Sequence, residues 1–297
     1  MKNKTLHDYL REWLLNYLPN RRCFSEKTIN SYRQSIIQFK NWIYTNKKVR
    51  FEDFTFDTFK KDNVYDFLLH LKNEKSLSTN TLNLRLASIK SFLKYCGEEN
   101  IELYSYYVSI KKIHNFKGTK NNRIEYLNEE HLKQLFAHPD VGLSKGQRNH
   151  FMMIFMYETG VRVSELVNIK VKDIDYTHSV MRVRIFGKGN KVRYVPLPSE
   201  VNKHLDIYLK RFHKENDLNE FLFYTNHEHR KTQMSPGSVD SFLKKYAREI
   251  HSIDSSFPLN LHAHMLRHSI AMAMYKKGIP ISYIKDFLGH TNLETTA

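Results

Sequence analysis

The chain has 297 residues, 41% of them hydrophobic, which is enough for two domains with buried cores. Its 47 lysines and arginines against 31 acidic residues give a net charge of +16, so a polyanion such as nucleic acid is the simplest partner. Two cysteines exclude a disulfide framework, and no apolar run is long enough for a secretion signal or a membrane span, which predicts a cytoplasmic protein without membrane contact.

Helical patterning dominates the first part of the chain. Apolar residues recur every three or four positions from Thr5 to about Tyr106, and we expect four or five helices there. Ser25 and Ser78 stand where N-caps are needed before two of these helices. Basic and small polar residues crowd the helix starts, a composition that suits phosphate contacts. We assign residues 1–112 to a helical DNA-binding domain.

A basic, polar stretch follows that is short of apolar residues. Residues 111–123 cannot bury enough surface to fold alone, so we predict a linker over 113–124 that lies along a phosphate backbone. A plain basic linker without that contact is the alternative.

The second domain is assigned to residues 125–297. A helix begins after Asn128, and a strongly apolar helix covers 147–158. Residues 171–197 change to period-two alternation around a turn at Gly187–Asn190, which predicts antiparallel strands. Four more helices are expected at 199–214, 235–250, 262–277 and 281–288. The fold class is therefore mainly α with a small antiparallel β-sheet.

Two segments of this domain place arginine or histidine side chains among apolar residues, where burial is expected. The helix that contains AHMLRHSIAMAM places His264, Arg267 and His268 on one face, at i, i+3 and i+4. Arg162 stands at the joint of two helices in TGVRVSEL, with Glu165 close enough to orient it. An Arg–Glu pair that serves only packing is the alternative for this joint. Histidines at 227/229 and 262/264 could suggest zinc, but alternate residues on a helix point apart and no cysteine or carboxylate cluster completes a tetrahedral site, so we predict no metal site. We also expect no cofactor.

Four motifs, in this order, resemble the tyrosine recombinase family, which includes phage integrases and Xer-type recombinases: TGVRVSELVNIKVKDID, FGKGNKVRYVPL, HMLRHSIAMAM and LGHTNLETTA. The resemblance covers the chain from about residue 125 by motif, and the N-terminal part by size and charge only. It implies a helical core-binding, SAM-like domain followed by an α+β catalytic domain. It also implies DNA strand transfer that needs neither metal nor ATP.

The same resemblance implies a catalytic set that acts on one DNA phosphate: Arg162, Lys188, His264, Arg267 and His290. Two guanidinium groups suit the charge that develops on the non-bridging oxygens, and a lysine on a hairpin can protonate the leaving 5′ oxygen. His264 is expected to accept or shuttle the nucleophile's proton, and His290 to hydrogen-bond the phosphate. Glu165 and His268 are expected to support the site.

The family's nucleophilic tyrosine follows the second histidine by nine residues, which corresponds to position 299, and the sequence ends at Ala297. We expect the natural protein to continue beyond this point, although a natural remnant is an alternative. Residues 1–297 should then bind DNA without forming a 3′-phosphotyrosine link. A homotetramer on two DNA sites is implied for the full-length protein, with weakened assembly for this chain.

Two other functions stay open. A type IB topoisomerase shares the chemistry but relaxes DNA, and an accessory protein would bind DNA without any chemistry. The DNA-contact candidates are the following polar residues: Arg85, Lys90, Lys94, Lys117, Lys120, Arg230, Lys231, Gln233 and Lys244.

Overall fold

The computed structural model describes residues 4–118, 125–187, 191–215, 217–228 and 230–289. The chain divides into two compact units, residues 1–121 and 122–297, and each has its own hydrophobic cluster. Within the described ranges, no helix combines the length and the apolar character that crossing a bilayer requires.

The described part of the N-terminal unit contains five α-helices, in agreement with the predicted number. They are α1 (Leu6–Glu12), α2 (Glu26–Lys47), α3 (Lys61–Asn73), α4 (Thr79–Glu99) and α5 (Tyr104–Lys111). A π-helix, Trp13–Arg21, continues α1. Both predicted N-caps are present, since the Ser25 and Ser78 side chains accept hydrogen bonds from backbone N–H groups three residues later, each at 3.3 Å.

Aromatic side chains fill the core of this unit. Trp13, Phe39, Phe59, Phe67 and Phe92 are each fully buried, and their rings pack edge-on or tilted against one another. These residues come from separate helices, so the aromatic cluster holds the N-terminal unit together.

The predicted linker starts later than expected. Asn83 on α4 bonds both the backbone N–H and the carbonyl of Phe116, at 2.8 and 3.1 Å, and Lys90 donates to the Ile113 carbonyl at 2.6 Å. Ile113 is 4% exposed. The boundary at 112 is therefore wrong, because Ile113 and Phe116 bury apolar surface against α4 in spite of the basic residues around them. Residues 119–124 of the predicted linker lie outside the described residues.

Seven α-helices occur in the described part of the C-terminal unit. They are α6 (Glu129–Ala137), α7 (Ser144–Thr159), α8 (Val163–Leu166), α9 (Ser199–Phe212), α10 (Pro236–His251), α11 (Ala263–Lys276) and α12 (Ile281–Leu288). The apolar helix α7 packs against α9 and α11, and Phe151, Met152 and Phe155 on it are buried. The helix with the histidine–arginine motif thus lies directly on the central helix of the core.

The predicted strands form a three-stranded antiparallel sheet in the order β1 (Ile174–Asp175), β2 (Arg182–Phe186) and β3 (Val192–Pro196). The alternation has the expected consequence, since Val183 and Ile185 are buried between exposed or half-exposed neighbours. Strands β2 and β3 pair on either side of the predicted Gly187–Asn190 turn, and residues 188–190 of that turn lie outside the described residues.

A second hairpin was not expected from the sequence. It pairs β4 (Tyr224–His227) with β5 (Arg230–Gln233). All four residues of β5 are exposed, so the segment has no alternation of apolar and polar residues that could have marked it as a strand.

Candidate functional site

The site begins at the joint between α7 and α8. Helix α7 ends at Gly160, whose φ of +56° lies in the left-handed region, and this reverses the chain before α8 begins at Val163. Arg162 occupies the N-cap position. The carboxylate of Glu165, 7% exposed, accepts from the Arg162 backbone N–H at 3.0 Å and from its Nη1 at 2.9 Å. The turn therefore fixes both the main chain and the guanidinium of Arg162, as the sequence predicted.

Arg267 reaches the same joint from α11. Its side chain is buried, with the residue 3% exposed, and its two Nη atoms donate to the carbonyls of Gly160 and of Leu288, the latter at 2.6 Å. Burial, together with repulsion from Arg162, lowers the pKa of Arg267. Two arginines that are more than one hundred residues apart in sequence thus meet at one point.

The end of α12 completes this cluster. Helix α12 ends at Gly289, with φ +66°, and Arg162 Nη2 lies 3.4 Å from the Gly289 carbonyl while Arg267 bonds the carbonyl before it. Carbonyls at a helix C-terminus carry partial negative charge, which favours cations at that position. Both guanidinium groups are therefore held by backbone carbonyls and keep N–H donors that these bonds do not use.

Three histidines lie at the start of α11. The His264 ring is 6.4 Å from each of the His262 and His268 rings, measured between centroids. Desolvation by the surrounding protein, with the positive charge of Arg267, lowers the pKa of His264. Desolvation also lowers the pKa of His268. A neutral imidazole at neutral pH can accept a proton, so the electrostatics suit the role predicted for His264.

Lys188 and His290 lie outside the described residues, but the residue before each of them lies at the cluster. A Cβ atom built on Gly187 would be 3.6 Å from Glu165 Oε1 and 3.7 Å from Arg193 Nη1. One built on Gly289 would be 3.1 Å from Arg193 Nη1. The chain therefore reaches the cluster immediately before both predicted residues.

Arg193 is a further residue of the site, and no motif in the sequence pointed to it. It lies on β3 opposite Ile185, and its Nη1 and Nη2 donate to the two oxygens of Glu165 at 3.2 and 2.8 Å. A signal was present, because Arg193 alternates with the exposed Val192 and Tyr194 and so shares the face of the buried Val195. An arginine on the buried face of a strand requires an anionic partner.

The cluster keeps an excess of positive charge. Burial raises the pKa of Glu165, but hydrogen bonds from Arg193 and Arg162 outweigh it, so the net shift is downward and the carboxylate is ionised. Three guanidinium groups against one carboxylate leave two positive charges. The arrangement can bind a doubly charged or transition-state anion of phosphate geometry.

The histidine and carboxylate groups of the described residues include no set of three or more that could hold a metal ion. The arginine cluster itself contains no group that a divalent cation would prefer beyond Glu165, which is already bonded to two arginines.

Several DNA-contact candidates are engaged within the protein. Arg85 donates to Gln38 and Ser35, Lys90 to the Ile113 carbonyl, and Lys231 to Glu220. Gln233 donates to Val167 and Asn168 in the same way. Lys94 lies near Glu98 on the surface, and three further candidates are exposed: Lys117, Arg230 and Lys244. Lys120 lies outside the described residues. The first four side chains have a structural role that sequence position did not reveal.

Residues 125–297 match the model of the phage integrase family, and residues 10–100 match that of the N-terminal SAM-like domain of phage integrases. The chain is 30% identical over 290 residues to the tyrosine recombinase XerC of Bacillus licheniformis, a match that covers 95% of this chain and 88% of that protein.

Solved structures show the same fold at lower identity. A XerH site-specific recombinase bound to a palindromic difH substrate aligns with a TM-score of 0.69 and 22% identity, over 93% of this chain and 76% of that one. A lambda integrase tetramer bound to a Holliday junction aligns with a TM-score of 0.70 and 16% identity, over 97% and 78% of the two chains. The architecture of both units is thus one that occurs in proteins crystallised with DNA.

Proposed function

Because the chain belongs to the phage integrase family of tyrosine recombinases, we propose that it is a site-specific DNA recombinase that cuts and rejoins strands through a 3′-phosphotyrosine intermediate. Double-stranded DNA is its substrate. The net charge of +16 supports binding to the phosphate backbone.

The convergence of Arg162 and Arg267 is the observation that carries this proposal. Attack on a phosphodiester places additional negative charge on the non-bridging oxygens, and two guanidinium groups fixed in advance stabilise that charge without reorganising. Arg162 is fixed by Glu165, and Arg267 by the carbonyls of Gly160 and Leu288. The proposed scissile phosphate occupies the position between these two side chains.

The remaining roles follow from the residues around this position. Neutral His264, one helical turn before Arg267, accepts the proton of the nucleophile. Lys188 protonates the leaving 5′ oxygen, and His290 donates a hydrogen bond to the phosphate. The positions of Gly187 and Gly289 beside the arginine cluster support both assignments. Glu165 holds Arg162, and His268 supports His264.

The nucleophile is proposed at position 299, outside the sequence of residues 1–297. These residues are therefore proposed to bind the recombination site but to leave the strand intact. A homotetramer on two DNA sites is proposed for a chain that includes the tyrosine, in keeping with the tetramer that the lambda integrase forms on a Holliday junction.

The test compares residues 1–297 with a longer chain that includes a tyrosine at position 299. The substrate is a nicked duplex of the genomic DNA that flanks the gene for this protein. Both should shift the duplex on a native gel, and only the extended chain should give a protein–DNA adduct on a denaturing gel. Arg162→Ala in the extended chain should abolish the adduct. An adduct formed by residues 1–297 would contradict the proposal and direct attention to the exposed Tyr275 and Tyr283.

Relaxation of plasmids decides between recombination and the topoisomerase alternative. The extended chain should join two plasmids only where both carry the matched site, and it should leave a supercoiled plasmid without that site unrelaxed. Relaxation of any supercoiled plasmid would favour the type IB topoisomerase.

A further inference from the structure

The Arg162–Glu165 turn receives a third charged side chain from strand β3. We propose that Arg193 is a positioning residue for the phosphate pocket, which is the position between the side chains of Arg162 and Arg267. Through Glu165, Arg193 fixes the guanidinium of Arg162 and leaves the charge of Arg162 available to a phosphate. The inference rests on the proposed function and adds a residue to its machinery.

The geometry of Glu165 is the first step. Its Oε1 accepts from Arg162 Nη1 at 2.9 Å and from Arg193 Nη1 at 3.2 Å. Its Oε2 accepts from the Arg162 backbone N–H at 3.0 Å and from Arg193 Nη2 at 2.8 Å. Four donors fill the hydrogen-bonding capacity of the carboxylate. With Arg193 in place, Glu165 has no freedom to rotate away from Arg162.

Charge is the second step. A buried carboxylate paired with Arg162 alone would neutralise it, and a phosphate would then gain little from that arginine. Arg193 supplies a second positive charge to the same carboxylate, so the three groups together remain cationic. Arg193 thus neutralises the charge of Glu165, and the charge of Arg162 remains available to attract the substrate phosphate.

The third step is the connection between segments. Arg193 lies on β3, five positions after Lys188 in the sequence, and its Cδ and Nη1 both lie 3.1 Å from the Cβ position of Gly289, the residue before His290. Its Nε is buried and has no partner among the described residues. The two bonds to Glu165 and the close contact with Gly289 together restrict the position of this side chain.

Arg184 on β2 provides a matched control. It donates from Nε and Nη2 to the buried carboxylate of Asp173, at 3.2 and 2.8 Å. Because Arg184 pairs with Tyr194 while Arg193 pairs with Ile185, the two arginines point to opposite faces of the sheet. Arg184→Met therefore removes a comparable Arg–carboxylate pair from the same sheet without touching the pocket.

The experiment uses residues 1–297 with ¹⁵N-labelled arginine side chains, and inorganic phosphate as the probe. The proteins compared are wild type, Arg193→Met, Arg193→Lys, Arg184→Met, Glu165→Gln and the double variant Arg193→Met/Glu165→Gln. Circular dichroism selects a temperature at which each is folded. Arg193→Lys keeps the charge but cannot bond both oxygens of Glu165, so it also serves if the methionine variant does not fold.

Without phosphate, the NMR spectra report rotation of the Arg162 guanidinium. Arg193→Met and Arg193→Lys should speed this rotation and merge the separate Nη signals of Arg162, whereas Arg184→Met should leave them resolved. Unchanged Arg162 signals in both folded Arg193 variants would overturn the proposal. This measurement tests Arg193 whether or not phosphate binds.

With phosphate, Arg193→Met should weaken binding at Arg162 by roughly 10-fold, and Arg184→Met by less than about 2-fold. In the Glu165→Gln background, Arg193→Met should add less than about 2-fold, because its effect passes through the carboxylate. An equal loss in both backgrounds would overturn the proposal. If the wild-type signals of Arg162 and Arg267 do not respond to phosphate and the chain does not bind duplex DNA, the proposed function fails, and the rotation measurement still decides the role of Arg193.

Discussion

Arg267 is a buried cation whose partners are backbone carbonyls. Its Nη atoms bond the carbonyls of Gly160 and Leu288, and no carboxylate of the described residues forms an ion pair with it. A carboxylate partner would neutralise the guanidinium, whereas neutral carbonyls satisfy its donors and preserve its charge. This distinction suits the proposed role of Arg267, because a guanidinium that no carboxylate neutralises can attract a phosphate.

The pH dependence of stability should report on His264. Its pKa in the folded protein lies below the ordinary value of 6.5, so the folded state binds fewer protons than the unfolded state as the pH falls below that value. Stability is therefore complete above pH 6.5 and is lost as the pH falls through the lowered pKa. We expect His264→Gln to lose less stability than wild type between about pH 7.5 and about pH 5 in urea unfolding.

His7→Gln is the control for this measurement, because His7 is exposed and lies in the other unit. Its pH profile gives the reference for removal of an exposed histidine, and the profile of His264→Gln is compared with it. If His264→Gln followed the profile of His7→Gln, the desolvation of His264 would have no thermodynamic effect.

At the level of elements, the contact between the α7–α8 joint and α12 assembles the site. A Cβ atom on Gly160 would lie 2.8 Å from Leu288 Cδ2 and 3.0 Å from Phe287 Cε1. Glycine is thus required at position 160 for two reasons: the positive φ and the close approach of α12. This approach brings the carbonyls of Leu288 and Gly289 to the two arginines.

Two glycine substitutions separate these requirements. Gly160→Ala should lower the free energy of unfolding by about 3 kcal/mol, from backbone strain together with the steric clash against α12. Gly278→Ala should lower it by only about 1 kcal/mol, because φ is +77° but no atom lies within 4 Å of its Cβ position. Urea unfolding measures both. Equal decreases in the free energy of unfolding would show that α12 accommodates the added methyl group without further destabilisation.

At the level of the whole molecule, two separate cores imply that the N-terminal unit is stable by itself. Residues 1–118 should show helical circular dichroism and a cooperative thermal transition. A fragment that ends at the predicted boundary, residue 112, should be less stable by about 1.5–3 kcal/mol, because it lacks the buried Ile113 and the bonds between Asn83 and Phe116. Equal stability of the two fragments would show that residues 113–118 contribute nothing to this unit.

The helices, the first hairpin and the Arg162–Glu165 turn could be predicted from the sequence, because their signals are local. Apolar spacing, N-cap serines and turn glycines act over four or five residues, and the arginine and histidines of α11 are placed on one helix by its own periodicity. The hairpin β4–β5 could not be predicted, since exposed strands leave no alternating pattern. The role of Arg85 and Lys90 was hidden for another reason: a basic side chain on a helix has the same local signature whether it faces solvent or a neighbouring segment.

The family, most of the elements and the residue types of the proposed phosphate pocket can be inferred from the amino-acid sequence, because they depend on motifs and local periodicity. Only the tertiary structure decided that Glu165 is shared by Arg162 and Arg193, and that the end of α12 supplies carbonyls to both Arg162 and Arg267. These contacts join positions up to 127 residues apart. The packing of α11 against α7, of α12 against α11 and Gly160, and the bonds from Arg193 on β3 to Glu165 set such distances, and no local pattern encodes them.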